Sequence, residues 1–312
     1  MNLELFVLGT GGSIPLPNRY LSSVLLRRDG EFFLFDCGEG TQMSLRTLNL
    51  KWKKISAILI THTHADHITG LLGMLMLSSQ VDRSAPLYVI GPPRIEEYIE
   101  QNRSILAMYI NYKIVIKELD PNNLNTVVWE TEQYRIRSFA LKHSRMCVGY
   151  TLEELLRPGS FSPENAEALK VPRGELWSAL QKGRNVVLED GKVITPEQVL
   201  GKPRPGRKFS FVTDTRPIER IQKEVAGSDV FVCEGMFTNE HAQSAEEKQH
   251  MTAMEAATIA KKAGGIKKMG ITHFSPRYTD HQIRLLEREA RSIFPETYSL
   301  KDGMHIPIPY EE

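Results

Sequence analysis

Apolar residues fall mostly in short runs broken by glycine- and proline-containing turns. Leu3–Leu8, Ser22–Leu26 and Glu31–Phe35 read as a strand meander. Gly40–Leu48 predicts a short helix, Ile55–Ile60 a buried strand, and Ile68–Gln80 an amphipathic helix rich in Leu and Met. Further strands are predicted at Leu87–Ile90, Ile114–Glu118, Tyr134–Leu141, Val148–Thr151, Phe209–Val212, Val230–Cys233 and Met269–Thr272. Helices are predicted at Pro217–Ala226, Ala253–Ala263 and His281–Ile293, with Gly264-Gly265 stopping the middle one. The pattern is mixed α and β throughout. No apolar stretch reaches the roughly 18 residues of a membrane span. Met1–Leu8 carries Glu4 and no basic residue, unlike a signal sequence.

Residues 152–208 break this rhythm. Pro158-Gly159, Pro163, Pro172, Gly174, Gly183, Gly191, Pro196 and Gly201 leave only short periodic pieces. So long an irregular insert is usually functional or disordered. It ends in a basic run with Lys202, Arg204, Arg207 and Lys208 and no acid, which fits either a solvated hinge or a contact surface for an anionic partner. Trp177, beside Leu176 and Leu180, could stack on a base but reads better as part of a small core.

At 312 residues, 41% hydrophobic and 25% charged, the composition excludes disorder, collagen and a disulfide scaffold. Its net charge of +1 supplies no global field, so an anionic substrate must be met by a local patch. Cys37, Cys147 and Cys233 lie far apart with no CxxC pair, which argues against a thiolate metal site and fits a reducing cytoplasm.

The chemistry concentrates in Thr61-His62-Thr63-His64-Ala65-Asp66-His67, directly after the Ile55–Ile60 strand. In extended chain, i and i+2 side chains share a face, so His62 and His64 can converge on one cation. Asp66 and His67 then fall where the loop turns into a helix. Four donors so close together suit two metals better than one. Further donors follow strand-like runs, namely His143, Asp214 and His273, at the strand ends where open α/β sheets gather their sites. The opening Gly9-Thr10-Gly11-Gly12-Ser13-Ile14-Pro15 lacks the third glycine of GxGxxG and a following helix, so it is no dinucleotide loop.

These donors, with Phe35-Asp36-Cys37-Gly38-Glu39-Gly40-Thr41-Gln42, Asp214-Thr215-Arg216 and His273-Phe274-Ser275-Pro276-Arg277-Tyr278, resemble the metallo-β-lactamase superfamily, specifically its ribonuclease Z (tRNase Z) branch, over essentially the whole chain. The resemblance implies an α+β fold, a four-layer αββα sandwich over 1–312, in which 152–208 is an inserted flexible arm that protrudes and grips the tRNA elbow. It implies two zinc ions per subunit, with manganese possible: His62, His64 and His143 on one, Asp66, His67 and His273 on the other, and Asp214 bridging. Asp36 would support the histidine loop by hydrogen bonds.

The activity implied is removal of the 3′ trailer from tRNA precursors by a metal-bound hydroxide, leaving a 3′-hydroxyl and a 5′-phosphate. Asp66 would orient or deprotonate the attacking water. His250, paired with Glu234, would protonate the leaving oxygen. Both match family motifs whose neighbouring residues differ here, and Gly174-Glu175 stands where such arms commonly carry Gly-Pro. Arg277 and Tyr278 would touch the phosphate or acceptor end, with Lys202, Arg204 and Arg207 at the arm's edge. The implied enzyme is a cytoplasmic homodimer without a membrane partner. The rival readings are a small-molecule phosphodiesterase or arylsulfatase-like hydrolase of the same superfamily, and a binding protein on a degenerate scaffold. All seven ligand positions are filled, which argues against the last. His241, His281 and His305 carry no assigned chemistry.

Overall fold

The computed structural model describes residues 2–81 and 83–311. Strands β1 (Leu3–Gly9), β2 (Ser23–Arg28) and β3 (Glu31–Phe35) form the predicted antiparallel meander. After α1 (Thr41–Thr47), β4 (Ile55–Leu59) pairs with β3 in parallel. Helices α2 (Ala65–Ile68) and α3 (Leu71–Ser79) lead to β5 (Leu87–Gly91), and α4 (Ile95–Ile105) to β6 (Ile114–Glu118), each strand again added in parallel. A second sheet opens with β7 (Val127–Glu130), β8 (Tyr134–Ala140) and β9 (Val148–Glu154). The insert follows, with α5 (Pro163–Ala168), α6 (Glu175–Gln181) and a hairpin of β10 (Val186–Val187) and β11 (Val193–Ile194). The chain then alternates through β12 (Lys208–Val212), α7 (Glu219–Val225), β13 (Val230–Glu234), α8 (Ala242–Glu247), α9 (Ala253–Ala263), β14 (Lys268–Thr272), α10 (Asp280–Arg291) and β15 (Thr297–Ser299). Finally β16 (His305–Pro307) returns to pair antiparallel with β1.

The two large sheets run β16-β1-β2-β3-β4-β5-β6 and β15-β14-β13-β12-β9-β8-β7. Their central strands are apolar on both faces, the mark of a sheet covered twice. Leu8, Leu25, Leu34 and Ile58 pack under α1, α3 and α4 through Leu45, Met74 and Ile95. Phe231, Met269 and Ile271 pack under α7, α9 and α10 through Val225, Ala256 and Leu286. Phe35 joins the sheets face to face, its ring 5.3 Å from Phe209, 5.7 Å from Phe211 and 5.9 Å from Tyr150. The four-layer αββα sandwich follows.

Several local expectations are corrected. The helix expected over 68–80 breaks at Thr69-Gly70, because the Gly70 N–H is drawn away to the Cys37 carbonyl at 2.9 Å. What remains, α3, is apolar around most of its circumference rather than amphipathic, with Met76 47% exposed. Helix α4 went unseen because only Ile95, Tyr98 and Ile99 mark its apolar stripe among charged residues. The three cysteines are buried and unpaired.

The chain folds as two compact units, one of Met1–Trp129, Ile136–Leu152 and Arg207–Glu312, the other of Glu130–Arg135 and Glu153–Gly206. The second has its own core of Ala166, Val171, Leu180, Val186, Ile194 and Val199. Trp177 belongs to it: its indole N–H donates to the Val171 carbonyl at 2.9 Å and its ring packs on Phe161. Helices of six or seven residues and two-residue strands are too short to show a period in sequence.

Because Phe35 is fully buried at the centre of the inter-sheet contact, Phe35→Ala is expected to cost about 3–5 kcal/mol in denaturant unfolding. A loss below about 1 kcal/mol would show that the sheets do not lean on it.

Candidate metal centre

The donors lie just past strand C-terminal ends: Asp36 after β3, His62 and His64 after β4, His143 after β8, Asp214 after β12 and His273 after β14. Two turn sharply, since Asp36 (φ +55°) and His273 (φ +60°) occupy the left-handed region that side chains rarely adopt. Such strain persists where surrounding contacts over-determine it. At His273 one such contact is Gly12, where an added Cβ would stand 2.7 Å from the imidazole. The glycine-rich opening therefore serves close backbone approach.

The ring nitrogens converge. His62 Nε2 and His143 Nε2 lie 3.0 and 3.2 Å from His64 Nδ1, and His67 Nε2 lies 3.2 Å from His273 Nε2. Asp214 stands between these groups and gives each its own oxygen. Its Oδ2 is 3.5 Å from His62 Nε2 and 3.6 Å from His143 Nε2, whereas its Oδ1 is 3.3 Å from both His67 Nε2 and His273 Nε2. Asp66 Oδ2 completes the second group, 3.2 Å from His273 Nε2, and accepts the Ser13 backbone N–H at 2.7 Å.

Donors about 2.0–2.1 Å from a tetrahedral ion lie about 3.3 Å apart, the spacing seen here. His62, His64, His143 and Asp214 could thus hold one ion, and Asp66, His67 and His273 a second. Asp214, His250 and His273 form a third possible set, sharing two members with the others.

The outer nitrogens are anchored. The Asp36 carboxylate accepts the Thr61 N–H (2.8 Å) and hydroxyl (2.9 Å) and takes His67 Nδ1 at 2.7 Å. His143 Nδ1 donates to the Gln249 carbonyl at 3.0 Å, and Thr61 Oγ1 meets His62 Nδ1 at 3.1 Å. Anchoring one ring nitrogen fixes the other toward a metal. Burial, helped by the charge of His67, holds the His62 imidazole down at about 3, in the neutral ligand form. Against the upward push of burial, His273 and His67 hold Asp66 below the usual carboxylate range.

Glu234 is fully buried. Its Oε1 accepts the Thr215 N–H at 2.6 Å and its Oε2 lies 3.2 Å from His250 Nδ1. Burial would lower the His250 imidazole, but the charge and hydrogen bond of Glu234, with the charge of Asp214, together outweigh burial and push the group up to about 9. Arg216, part of the Asp214-Thr215-Arg216 motif but without a role assigned from sequence, and Glu255, which carried no sequence signal for this role, clamp this histidine from behind. The Arg216 guanidinium donates to the His250 carbonyl and pairs with Glu255 at 2.5 Å, and Glu255 closes the capping box of α9.

The other singled-out residues lie as follows. Arg277 is exposed, with its guanidinium 5.0 Å from the centre of the Phe237 ring. Tyr278 is buried, its hydroxyl engaged with Thr238 and with His241 Nδ1 at 3.0 Å. Lys202 and Arg204 are exposed. Arg207 is buried, donating to the Ile308 carbonyl at 2.9 Å beneath Tyr310, so its guanidinium serves the fold and is withdrawn from the basic edge. His305 stacks on Phe6, and His281 is exposed.

A four-layer sandwich with these donors at one edge is the architecture of metallo-β-lactamase-fold proteins. Residues 3–145 match the family described as "Anti-Pycsar protein Apyc1". Ribonuclease Z of Treponema denticola is 58% identical over 100% of both chains, and ribonuclease Z of Borrelia hermsii 43% identical over 98% of this chain and 97% of that one. The crystal structure of the short form of human tRNase Z superposes with a TM-score of 0.72 at 26% identity, covering 98% of this chain and 100% of that one. The chain belongs to the ribonuclease Z family. The resemblance read from the sequence is borne out.

Asp36→Ala leaves His67 Nδ1 without its anchor, and is expected to weaken metal binding about 10–100-fold in a chelator competition. Unchanged affinity would mean that the anchor is dispensable.

Proposed function

We propose that the protein is a two-zinc endoribonuclease that removes the 3′ trailer from tRNA precursors. The observation that carries this reading is the division of Asp214 between two donor sets, within a chain 58% identical to a ribonuclease Z over its full length. His62, His64 and His143 are assigned to one zinc, Asp66, His67 and His273 to the other, and Asp214 to both; manganese is the alternative metal. When bound, such a pair lowers the pKa of water and neutralises charge on a phosphodiester.

The chain's own groups do the rest. Asp66, fixed by the Ser13 N–H, would orient the attacking water and accept its proton. The water oxygen forms the new bond to phosphorus as the bond to the 3′-oxygen breaks. His250, whose Nδ1 is held by Glu234, keeps its transferable proton on Nε2 and delivers it to that oxygen. Glu234 is thus a positioning residue. The products are a tRNA 3′-hydroxyl and a trailer 5′-phosphate.

A near-neutral chain must bind tRNA by local charge. We assign the acceptor end to Arg277, with Tyr278 as its buried support, and the body of the tRNA to the inserted unit through Lys202 and Arg204. A cytoplasmic homodimer completes the reading. Among the described residues no helix is long and apolar enough to cross a membrane.

Zinc-loaded protein is expected to cut a trailer-bearing tRNA precursor at the 3′ end of the tRNA. Turnover of small phosphodiesters or sulfate esters without such a cut would favour the small-molecule hydrolase instead. His250 acts as an acid, so activity should fall as pH rises through its raised pKa. Glu234→Gln removes the group that raises it, so the alkaline fall should move to lower pH and kcat should drop about 10²-fold. An unmoved profile would deny His250 this role. Deleting the inserted unit is expected to raise KM for precursor tRNA far more than KM for bis(p-nitrophenyl) phosphate. Equal loss on both would remove the arm from substrate binding.

A further inference from the structure

Beside the histidine loop lies a cleft of about 220 Å³ that the assigned chemistry leaves unused. Thr63, flanked by His62 and His64, lines it, as does Arg145, two residues past His143. One wall is apolar, made by Ile68 and Tyr98, and the Tyr98 hydroxyl donates to the Ile68 carbonyl at 3.4 Å. Gln101 and Asn102 add two side-chain amides, the Asn102 nitrogen giving one of its two protons to the Tyr98 carbonyl at 2.7 Å.

The charges are not equivalent. Glu97 is spent on Arg94, with Oε2 2.7 Å from its Nε, and on the Gln101 amide at 3.1 Å. Arg145 is exposed and, among the described residues, has no hydrogen-bonding or ionic partner. The cleft therefore presents one uncompensated guanidinium, an apolar wall and amides of mixed donor and acceptor character. A phosphate carrying a base matches that combination: guanidinium to phosphate oxygens, apolar wall to base face, amides to base edge.

We infer that this cleft receives the nucleotide next to the scissile phosphate, with its phosphate on Arg145 and its base against Tyr98, Gln101 and Asn102. The inference rests on the endoribonuclease reading and adds the path of the RNA strand. Thr63 and Arg145 adjoin proposed ligands of the first zinc, whereas Arg277 follows His273 of the second. The strand would then cross the metal pair with a cationic contact on each side. Nucleotides of the trailer and of the acceptor end share this chemistry.

The test uses zinc-loaded Arg145→Ala, Arg145→Glu and Arg145→Lys proteins with precursors bearing one-nucleotide or five-nucleotide trailers and with mature tRNA as inhibitor, over a salt series. Loss of the contact is expected to raise KM about tenfold in the Ala variant and further in Glu, with partial rescue by Lys. The slope of log KM against log salt should become shallower by about 0.7, the share of one phosphate on a single strand. If the occupant is the trailer, the penalty falls on the five-nucleotide substrate while inhibition by mature tRNA is unchanged. If it is the acceptor end, both precursors and the inhibitor weaken together. Wild-type cleavage with variants matching it in KM and salt slope would overturn the cleft alone. A wild-type protein that cuts neither precursor would overturn the functional reading beneath it.

Discussion

The Asp214 carboxylate is the constraint from which the rest of the centre follows. It is buried, and its two oxygens face two separate pairs of imidazole nitrogens at 3.3–3.6 Å. So many polar atoms packed in a largely buried site cost free energy unless a cation satisfies them, because their lone pairs cannot all be met by one another's protons. A bound metal would resolve the conflict, and a carboxylate with one oxygen toward each donor group suits the proposed pair. His62 and His143, just past the ends of β4 and β8, and His67, on α2, are turned inward by anchors on their outer nitrogens.

Reaching that geometry requires backbone that the sheets alone would not provide. Asp36 and His273 stand at φ +55° and +60° at the ends of neighbouring layers, and Gln249, whose carbonyl anchors His143, at +57°. The turn through Gln249 and His250 links two roles: one carbonyl holds a ligand, and the next is clamped by Arg216. His143 and His250, the proposed ligand and the proposed acid, are therefore set by one short segment that the Arg216–Glu255 pair ties to the start of α9. The Phe35 contact with Phe209 and Phe211 brings together the strands that carry Asp36 and Asp214.

Much of this was legible in the sequence because it depends on short-range spacing. The alternation that placed His62 and His64 on one face, and the strand runs ahead of His143, Asp214 and His273, located the donors. Of the supporting groups, Asp36 and Glu234 followed from the family resemblance, and the others were not legible. Ser13 and Gln249 act through backbone groups, which leave no residue-type signal, and Arg216 with Glu255 meets His250 across long sequence separations. Arg207 shows the opposite failure: a cation in a basic run reads as surface until the fold buries it against Ile308 and Tyr310. Apart from Trp177 and its leucine neighbours, the inserted unit hid its core because its helices make fewer than two turns and its strands are two residues long.

The most direct measurement is a crystal structure of the zinc-loaded protein with anomalous data at the zinc edge. Two peaks about 3.5–4 Å apart are expected, one about 2.0–2.2 Å from Asp214 Oδ2 and the other as close to Oδ1, with His250 bound to neither. A single peak, or a metal held by Asp214, His250 and His273, would contradict the shared carboxylate on which the centre is built.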